Sequence, residues 1–203
     1  MRDTRAHTRK PGLRLWLSGG WITILVLAAL LAPWISPHDP LAQDLFAGRM
    51  PPFWQAGADP NYLLGTDSLG RDVLSRILHG ARLALTVALI AGVLTCLIGA
   101  TLGLIAGYYG GWADLVISRL VDIWMAFPPV LFAILLIAVL GTGMTSIIIA
   151  IVVIDWTRFA RVIRAEAMSQ SKMDYVASAQ VVGRSRFGTA LTEILPNVLP
   201  TIV

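Results

Sequence analysis

Charged residues and cysteine are scarce in this sequence, and their scarcity excludes several classes of protein. Only 14% of the 203 residues are charged and 56% are hydrophobic, which is outside the usual balance of a soluble domain. Cys96 is the single cysteine, so neither a disulfide within the chain nor a cysteine metal cluster can form. Lys10 and Lys172 are the only lysines, and neither ends a glycine-rich phosphate loop. The composition therefore predicts a membrane protein that does not itself bind and hydrolyse ATP.

Catalytic and metal-binding patterns are also missing from the sequence. His7, His38 and His79 have no partner at helical spacing, and isolated histidines are more often surface residues than metal ligands. No arrangement of serine, histidine and aspartate, and no pair of carboxylates, falls in one predicted site. The net charge of +4 could indicate nucleic acid, but the basic residues lie mainly beside apolar stretches. We therefore expect no catalytic residue, metal, cofactor or nucleic-acid partner.

The N-terminal region combines a basic tail with a long apolar stretch. Residues 1–14 contain five Lys or Arg residues and one acid, and residues 15–36 contain no charge. At about 1.5 Å per residue, such a stretch crosses a hydrocarbon core of about 30 Å. A cleaved signal peptide also begins with basic residues, but this stretch is longer and no clear small-residue cleavage site follows it. We predict a cytoplasmic tail over 1–14 and a retained first transmembrane helix over 15–36.

Proline and glycine punctuate the next segment, residues 37–82, and no helical periodicity survives there. The segment leans acidic, as a translocated loop can. We therefore predict an external, periplasmic loop over 37–82, followed by a transmembrane domain over 83–203.

Residues 83–113 form a second charge-free stretch that contains a regular series of glycines. Gly99, Gly103 and Gly107 recur every four residues, which places them on one face of a helix. Small residues on one face allow the backbones of two membrane helices to approach closely. We predict that these three glycines serve helix packing, within this subunit or against a partner.

A third charge-free stretch, residues 123–154, is too long for a single span at about 1.5 Å per residue. Gly141-Thr142-Gly143 divides it into two predicted spans, 119–140 and 146–163, joined by a tight external turn. Phe127-Pro128-Pro129 is expected to kink the first of them, because proline removes an amide donor and crowds the preceding turn. The fold class is thus all-α, a polytopic membrane protein with four to five transmembrane helices.

Two aspartates lie next to these spans. Asp122 and Asp155 each have an arginine three residues away, Arg119 and Arg158. Because an isolated charge in the membrane is costly, we expect ion pairs at the cytoplasmic ends of the helices. A proton relay is the alternative, and no other residue supports it.

A polar interval, residues 164–196, returns the chain to the cytoplasm in this count of spans. Ser171 and Asp174 have the spacing of a capping box at a helix start. Gly183 is suited to end that helix and Ser185 to cap a second one. The second helix carries apolar residues on one face at Phe187, Ala190, Leu191, Ile194 and Leu195.

The same interval contains a second pattern, made of Tyr175, Val176, Ala177, Ser178 and Ala179, then Gly183, and then Ile194, Leu195 and Pro196. This pattern resembles the EAA loop of the permease subunits of bacterial ABC importers. In that family the loop forms a coupling helix that docks on the ATPase subunit, so the resemblance assigns these nine residues to ATPase coupling. Ala177 stands where the family has a glutamate.

A second resemblance narrows the family. Residues 64–76, followed by Gly80-Ala81-Arg82, are similar to a segment that precedes the second span in the dipeptide, oligopeptide and nickel branch, in the C-type subunit. The family continues with further spans beyond Val203, so the resemblance implies a truncated chain.

The resemblance implies an inner-membrane permease subunit, multi-pass with a cytoplasmic N-terminus, that translocates dipeptides or oligopeptides. It implies ATPase subunits that hydrolyse ATP, a second permease subunit, a periplasmic substrate-binding protein and contact with membrane lipid. A permease for nickel or another small solute is the alternative cargo. A non-transporting membrane scaffold or an integral membrane enzyme is the alternative class.

Overall fold

A computed structural model describes residues 12–202 of the chain, and its architecture is helical. The predicted basic tail over 1–14 therefore lies almost entirely outside the described residues. Within them, the only β-pairing is one isolated antiparallel bridge between Thr66 and Asp72. The all-α prediction is confirmed. The helices are α1 Leu13–Ile35, α2 Val73–Tyr109, α3 Gly111–Met125, α4 Pro129–Leu140, α5 Met144–Gln170, α6 Asp174–Val181, α7 Arg186–Thr189 and α8 Leu195–Ile202.

Two of the described helices, α1 and α2, are long and apolar enough to cross a membrane. A third span results if α3 and α4, which are bent by 86° at a short break, are counted as one. This is fewer than the four to five spans predicted from the sequence. The difference arises because α4 has only 12 residues and because α5, with 27, carries Asp155, Arg158 and Arg161 within its length.

The chain divides into two compact units, and the first ends at Thr86. In this unit α1 covers the predicted first span within two residues. The helix α2 begins at Val73, so residues 73–82, which the sequence placed in the external loop, are helical. The absence of charge was a poor guide to this boundary, because a helix continues readily through Arg76 and Arg82.

Two glycines of the segment between α1 and α2 allow very close backbone contacts. A Cβ atom at Gly70, which has φ +72°, would lie 1.7 Å from the carbonyl oxygen of Asp44. A Cβ atom at Gly65, which has φ +73°, would lie 2.2 Å from the carbonyl oxygen of Met50. A side chain at either position would therefore meet backbone as well as an unfavourable conformation. The glycines of the segment 64–76 are thus explained by the local fold of the loop.

Two aspartates of the same segment are held by hydrogen bonds. The carboxylate of Asp67 accepts from the backbone N–H groups of Leu69 and Arg71, at 2.8 and 3.0 Å, and pairs with the guanidinium groups of Arg71 and Arg76. Asp72 is 2% exposed and accepts from the backbone N–H of Ser75 at 3.0 Å, which caps the first turn of α2. These contacts tie the loop to the start of the helix.

The stability of this loop is expected to decrease in acid through Asp67. Desolvation raises the pKa of this carboxyl group, but the hydrogen bonds from Arg71 and Leu69 and the charge of Arg71 outweigh it and lower the pKa from 3.8 to about 2. A group whose pKa is lower in the folded state stabilises the fold above the unfolded pKa, and this contribution is lost as the pH falls from about 4 to about 2.

The difference in thermal stability between the wild type and Asp67→Asn should therefore be largest near neutral pH and should shrink from pH 4 to pH 2. Melting curves of both proteins across that interval measure it. A difference that is still undiminished at pH 2 would contradict the assigned role of Asp67.

The second unit begins at Val87 and contains the rest of α2 and the helices α3 to α8. In this unit α2 packs along α5 at its three regularly spaced glycines. A Cβ atom at Gly99, Gly103 or Gly107 would lie 2.5 Å from a backbone carbonyl oxygen of α5, on Trp156, Ala160 and Arg164 respectively. The α5 residues are also spaced by four, so the two helices keep one register over two turns.

The predicted hairpin of two spans differs from the structure in its first half. The kink expected at 127–129 is a complete break, because α3 ends at Met125 and α4 starts at Pro129. Gly141 and Gly143, with φ of +84° and +157°, form the predicted turn before α5. The helix α5 continues to Gln170, beyond the predicted end at residue 163.

One of the two predicted ion pairs forms. The guanidinium Nε of Arg158 lies 3.4 Å from a carboxylate oxygen of Asp155. Asp122 has no such pair with Arg119 in the described structure. The pair that joins α3 to α5 instead links Asp114 to Arg164, whose Nη2 donates to the second carboxylate oxygen at 2.8 Å. Sequence spacing could not reveal it, since the partners are fifty positions apart.

Candidate functional site

The polar interval after α5 folds into two short helical segments around a glycine. The first, α6, ends with Gly183 in the left-handed conformation at φ +88°. The N–H of Gly183 donates to the carbonyl of Gln180 at 3.0 Å, and the N–H of Arg184 donates to the carbonyl of Ala179 at 3.1 Å. This is the hydrogen-bond pattern of a Schellman motif, as predicted for Gly183.

The predicted capping box at the start of α6 was wrong. Ser171 ends α5, and its hydroxyl donates to the carbonyl of Met168 at 2.9 Å. The N-cap of α6 is Met173, which provides no side-chain hydrogen bond. A serine that bonds back to the preceding helix is unavailable to the next one, which explains why the sequence pattern misled.

The second segment starts as predicted, with Ser185 accepting a hydrogen bond from the N–H of Gly188 at 3.1 Å. Helix α7 then passes through a π-helical turn, Ala190–Ile194, into α8. The N–H of Leu195 reaches back to the carbonyl of Ala190. The wider turn lies directly before Pro196, which has no N–H to donate and would crowd a regular helical turn.

One side of this two-helix element belongs to the core of the second unit. Val176, Ile194 and Val198 are at most 1% exposed and form one apolar cluster with Leu104 of α2 and with Ile163 and Ala167 of α5. Among the predicted coupling residues, Val176 and Ile194 are therefore anchors of the element and are unavailable to a partner.

Polar side chains reinforce this anchoring. The hydroxyl of Tyr175 donates to the side-chain oxygen of Gln170 at 2.7 Å, and the amide of Gln170 donates to Glu166 at 2.8 Å. Burial raises the pKa of Tyr175, with the charges of Glu193 and Glu166 acting in the same direction. The phenol therefore stays protonated at neutral pH and keeps its donor. Tyr175 thus also faces inward, toward α5.

The other side of α6 is exposed and largely apolar. Met173 is 45% exposed, Val181 is 87% exposed, and Ala177 lies between them at a spacing of four residues, so the three share one helix face. Val182, also 87% exposed, extends this face to the hinge at Gly183. We call Met173, Ala177, Val181 and Val182 the exposed strip of α6.

The remaining predicted coupling residues lie in different environments. Ser178 is exposed beside the strip, and its hydroxyl is occupied by the carbonyl of Asp174 at 2.8 Å. Ala179 and Leu195 are half-buried, and Pro196 is exposed on α8. The predicted set is thus brought together around one element, but only part of it faces outward.

Sequence reasoning missed Val181 and Val182 as candidate contact residues. The signal was present, since two consecutive valines directly before a C-capping glycine cannot both enter a core on one side of a short helix. Their near-complete exposure in the described part of the chain is the feature of α6 that most needs explanation, because large exposed apolar groups on a helix end often mark an interaction surface.

Comparisons with known proteins identify what the chain resembles. Residues 99–203 match the family model of the binding-protein-dependent transport system inner membrane component. Residues 15–52 match the model of the N-terminal transmembrane domain of oligopeptide transport permease C. These matches confirm the resemblance drawn from the sequence and cover both the N-terminal span and the two-helix element.

Individual relatives agree with the family models. The chain is 40% identical over 183 residues to the dipeptide transport system permease protein DppC of Haemophilus influenzae, covering 90% of this chain and 62% of the relative. It is 37% identical to the di/tripeptide transport system permease protein DppC of Pseudomonas aeruginosa, covering 90% of this chain and 60% of the relative. It is 35% identical to the glutathione transport system permease protein GsiD of Pectobacterium atrosepticum, covering 92% of this chain and 60% of the relative. The chain thus spans only about three-fifths of each relative's length.

Proposed function

Because this chain belongs to the family of binding-protein-dependent transport system inner membrane components, we propose that it acts in a permease subunit of an ATP-driven peptide importer. In this proposal the two-helix element after α5 is the coupling element that meets the ATPase subunit. ATP hydrolysis is assigned to that separate subunit.

The observation that carries the proposal is the division of α6 into two sides. Val176 is 1% exposed and packs in the cluster that includes Ile163 of α5, whereas Val181, the last residue of the helix, and its C-cap Val182 are each 87% exposed. A helix with this division can receive a partner on one side and pass a displacement to the membrane helices on the other.

The contact with the ATPase is proposed to be mainly apolar. The exposed strip presents two valines, a methionine and Ala177, which replaces the acid that the family resemblance leads one to expect. Burying an apolar side chain of this size contributes about 1.5–3 kcal/mol, so two valines suffice for much of the contact energy without an ion pair.

Transport requires the ATPase to favour one membrane arrangement over another. A partner shifts such an equilibrium only through a difference in its interaction with the two states. We propose that the ATPase acts on the membrane helices through the buried cluster around Ile163, Val176 and Ile194. Close-packed side chains transmit a displacement rather than absorb it.

Peptides are the proposed cargo. The named relatives are permease proteins of dipeptide, di/tripeptide and glutathione transport systems, and we extend this class of cargo to the present chain. A nickel permease is not favoured by these relatives. The remaining proposed partners are a second permease subunit and a periplasmic substrate-binding protein.

The protein is placed in the inner membrane as a multi-pass protein, in agreement with its family and its apolar helices. We propose that its N-terminus is cytoplasmic, because basic residues cluster before α1 and such clusters remain inside. If α5 also crosses the membrane, as the fourth span after α1, α2 and the bent pair α3–α4, the two-helix element likewise faces the cytoplasm, where the ATPase is proposed to bind.

Affinity purification from host membranes tests the proposed function. The tagged full-length protein in mild detergent should retain an ATPase subunit and a second permease in stable amounts. Recovery of a monodisperse full-length protein that is free of both subunits would overturn the proposal and favour a membrane scaffold.

A further inference from the structure

A small pocket lies within the second unit, where the chain breaks between α3 and α4. Its volume is about 80 Å³, and three aromatic residues, Trp124, Phe127 and Phe132, contribute to its lining. Asp155 and Arg158 of α5 line it as well. The pocket therefore combines aromatic rings with one carboxylate, although neither the coupling element nor the glycine contact involves these residues.

The aromatic side chains hold one another in place. The indole N–H of Trp124 donates to the carbonyl of Val153 at 2.5 Å, which fixes the ring against α5. The ring of Phe132 lies edge-on to Trp124 and stacks on Phe127, with centroids 5.8 Å apart in both pairs. Aromatic faces fixed in this way attract cations, because their π-systems carry negative charge above the ring.

The carboxylate of Asp155 has unused capacity to accept hydrogen bonds. Its partner in the described structure is the Nε of Arg158 at 3.4 Å; the Arg158 side chain is 72% exposed and that of Asp155 is 35% exposed. A strong charge-assisted hydrogen bond measures about 2.7–2.9 Å, so the pair is a loose one. A cation with several N–H donors could form shorter bonds with Asp155 than Arg158 does.

The position of the pocket along the helices points to a transport path. At about 1.5 Å per residue, Asp155 lies about 17 Å along α5 from its start at Met144. The break before Pro129 lies about 18 Å from the other end of α4, at Leu140. In a topology in which α4 and α5 both cross the membrane, these distances place Asp155 and the break near the middle of a core about 30 Å thick, rather than Asp155 at the cytoplasmic end expected from the sequence. Broken helical backbone at that depth is tolerated where it is buried in protein or lines a water-filled cavity, and charged residues there usually mark function.

We propose that this pocket binds the protonated α-amino group of the transported peptide. Asp155 accepts hydrogen bonds from the ammonium group, and the rings of Trp124 and Phe127 face its positive charge. The volume admits the amino terminus and excludes a whole peptide. Because the recognised group is the ammonium group, acetylation of the amino terminus removes it. This inference rests on the proposed peptide importer and names a contact for its cargo.

A thiol-protection experiment on the assembled transporter tests the pocket. Cys96→Ser removes the single cysteine, and Met125→Cys places a reporter at a lining residue that is 47% exposed. The rate of labelling by N-ethylmaleimide is measured without the substrate-binding protein. The dipeptide Ala-Phe should slow labelling, and N-acetyl-Ala-Phe should not.

Variants of Asp155 then assign the contact. Asp155→Asn should raise the Ala-Phe concentration needed for protection at least about tenfold, because a hydrogen bond to a charged group is lost. Asp155→Glu should restore protection in large part, and Asp122→Asn, which changes an acid outside the pocket, should leave it unchanged.

Equal protection by the two dipeptides, or protection that survives in Asp155→Asn, would overturn the inference. If Asp155→Asn fails to assemble, the comparison of the two dipeptides on the Met125→Cys protein still decides the matter. The proposed function is tested separately, because a failed importer assignment would show as absence of the ATPase from the purified complex before any peptide is added.

Discussion

Replacing Gly103 with alanine is expected to destabilise the second unit strongly. The added Cβ atom would lie 2.5 Å from the carbonyl oxygen of Ala160 and 3.0 Å from the backbone nitrogen of Arg164, so α2 and α5 must separate. Overpacking of this kind costs about 1–3 kcal/mol, and the contact is with backbone that cannot rotate away. Since 1 kcal/mol corresponds to about 2–4 °C in a protein of this size, the melting temperature should fall by about 2–12 °C.

Gly92→Ala is the matched control for this substitution. Gly92 lies on the same helix, and a Cβ atom there would meet nothing within 4 Å. Alanine is a better helix former than glycine by about 1 kcal/mol, so this variant should melt at or above the wild-type temperature. Thermal denaturation in detergent, followed by the fraction of monodisperse protein, compares the two. A Gly103→Ala protein as stable as Gly92→Ala would mean that the close approach of α2 and α5 is not required.

Replacing Val182 with aspartate is expected to remove the ATPase from the purified complex. Val182 is 87% exposed, so the substitution leaves the core untouched. In the proposed interface the valine is buried, and its loss costs about 1.5–3 kcal/mol before the desolvation of the new charge is added. Because 1.4 kcal/mol is tenfold in affinity, the Kd for the ATPase should rise at least about tenfold. Quantitative co-purification at controlled ATPase concentration measures this change.

Val182→Leu is the matched control, because it keeps an apolar side chain on the exposed strip. This variant should retain the ATPase to within a few-fold of wild type, and both variants should elute as the wild-type permease does in gel filtration. Normal retention of the ATPase by Val182→Asp would show that the exposed strip of α6 lies outside the interface. If both variants lose the ATPase, the contact depends on the shape of the side chain at position 182 rather than on its apolar character.

Features that depend only on residues close together in the chain could be predicted from the sequence. The Schellman motif at Gly183, the cap at Ser185 and the turn at Gly141 follow from the conformations that glycine and serine allow locally. The first span was placed within two residues because a long apolar stretch has few alternatives to a membrane helix. The spacing of Gly99, Gly103 and Gly107 likewise predicted a shared face.

Local patterns misled where two local arrangements compete. Ser171 had the spacing of a capping box but bonds back to Met168, because both conformations are available to a serine after a helix. The two prolines at 128 and 129 predicted a kink, and their removal of consecutive amide donors allowed a full break with a bend of 86°.

The sequence by itself determined the membrane class, the family resemblance and the apolar stretches that form the long helices, because these depend on composition, periodicity and short motifs. Only the tertiary structure decided which partner each helix face meets. It paired Arg164 with Asp114 instead of Asp122 with Arg119, turned Val176 inward and Val182 outward, and placed Asp155 beside Trp124. Contacts between residues distant in the chain depend on the angle and register at which helices pack, and no local pattern specifies those quantities.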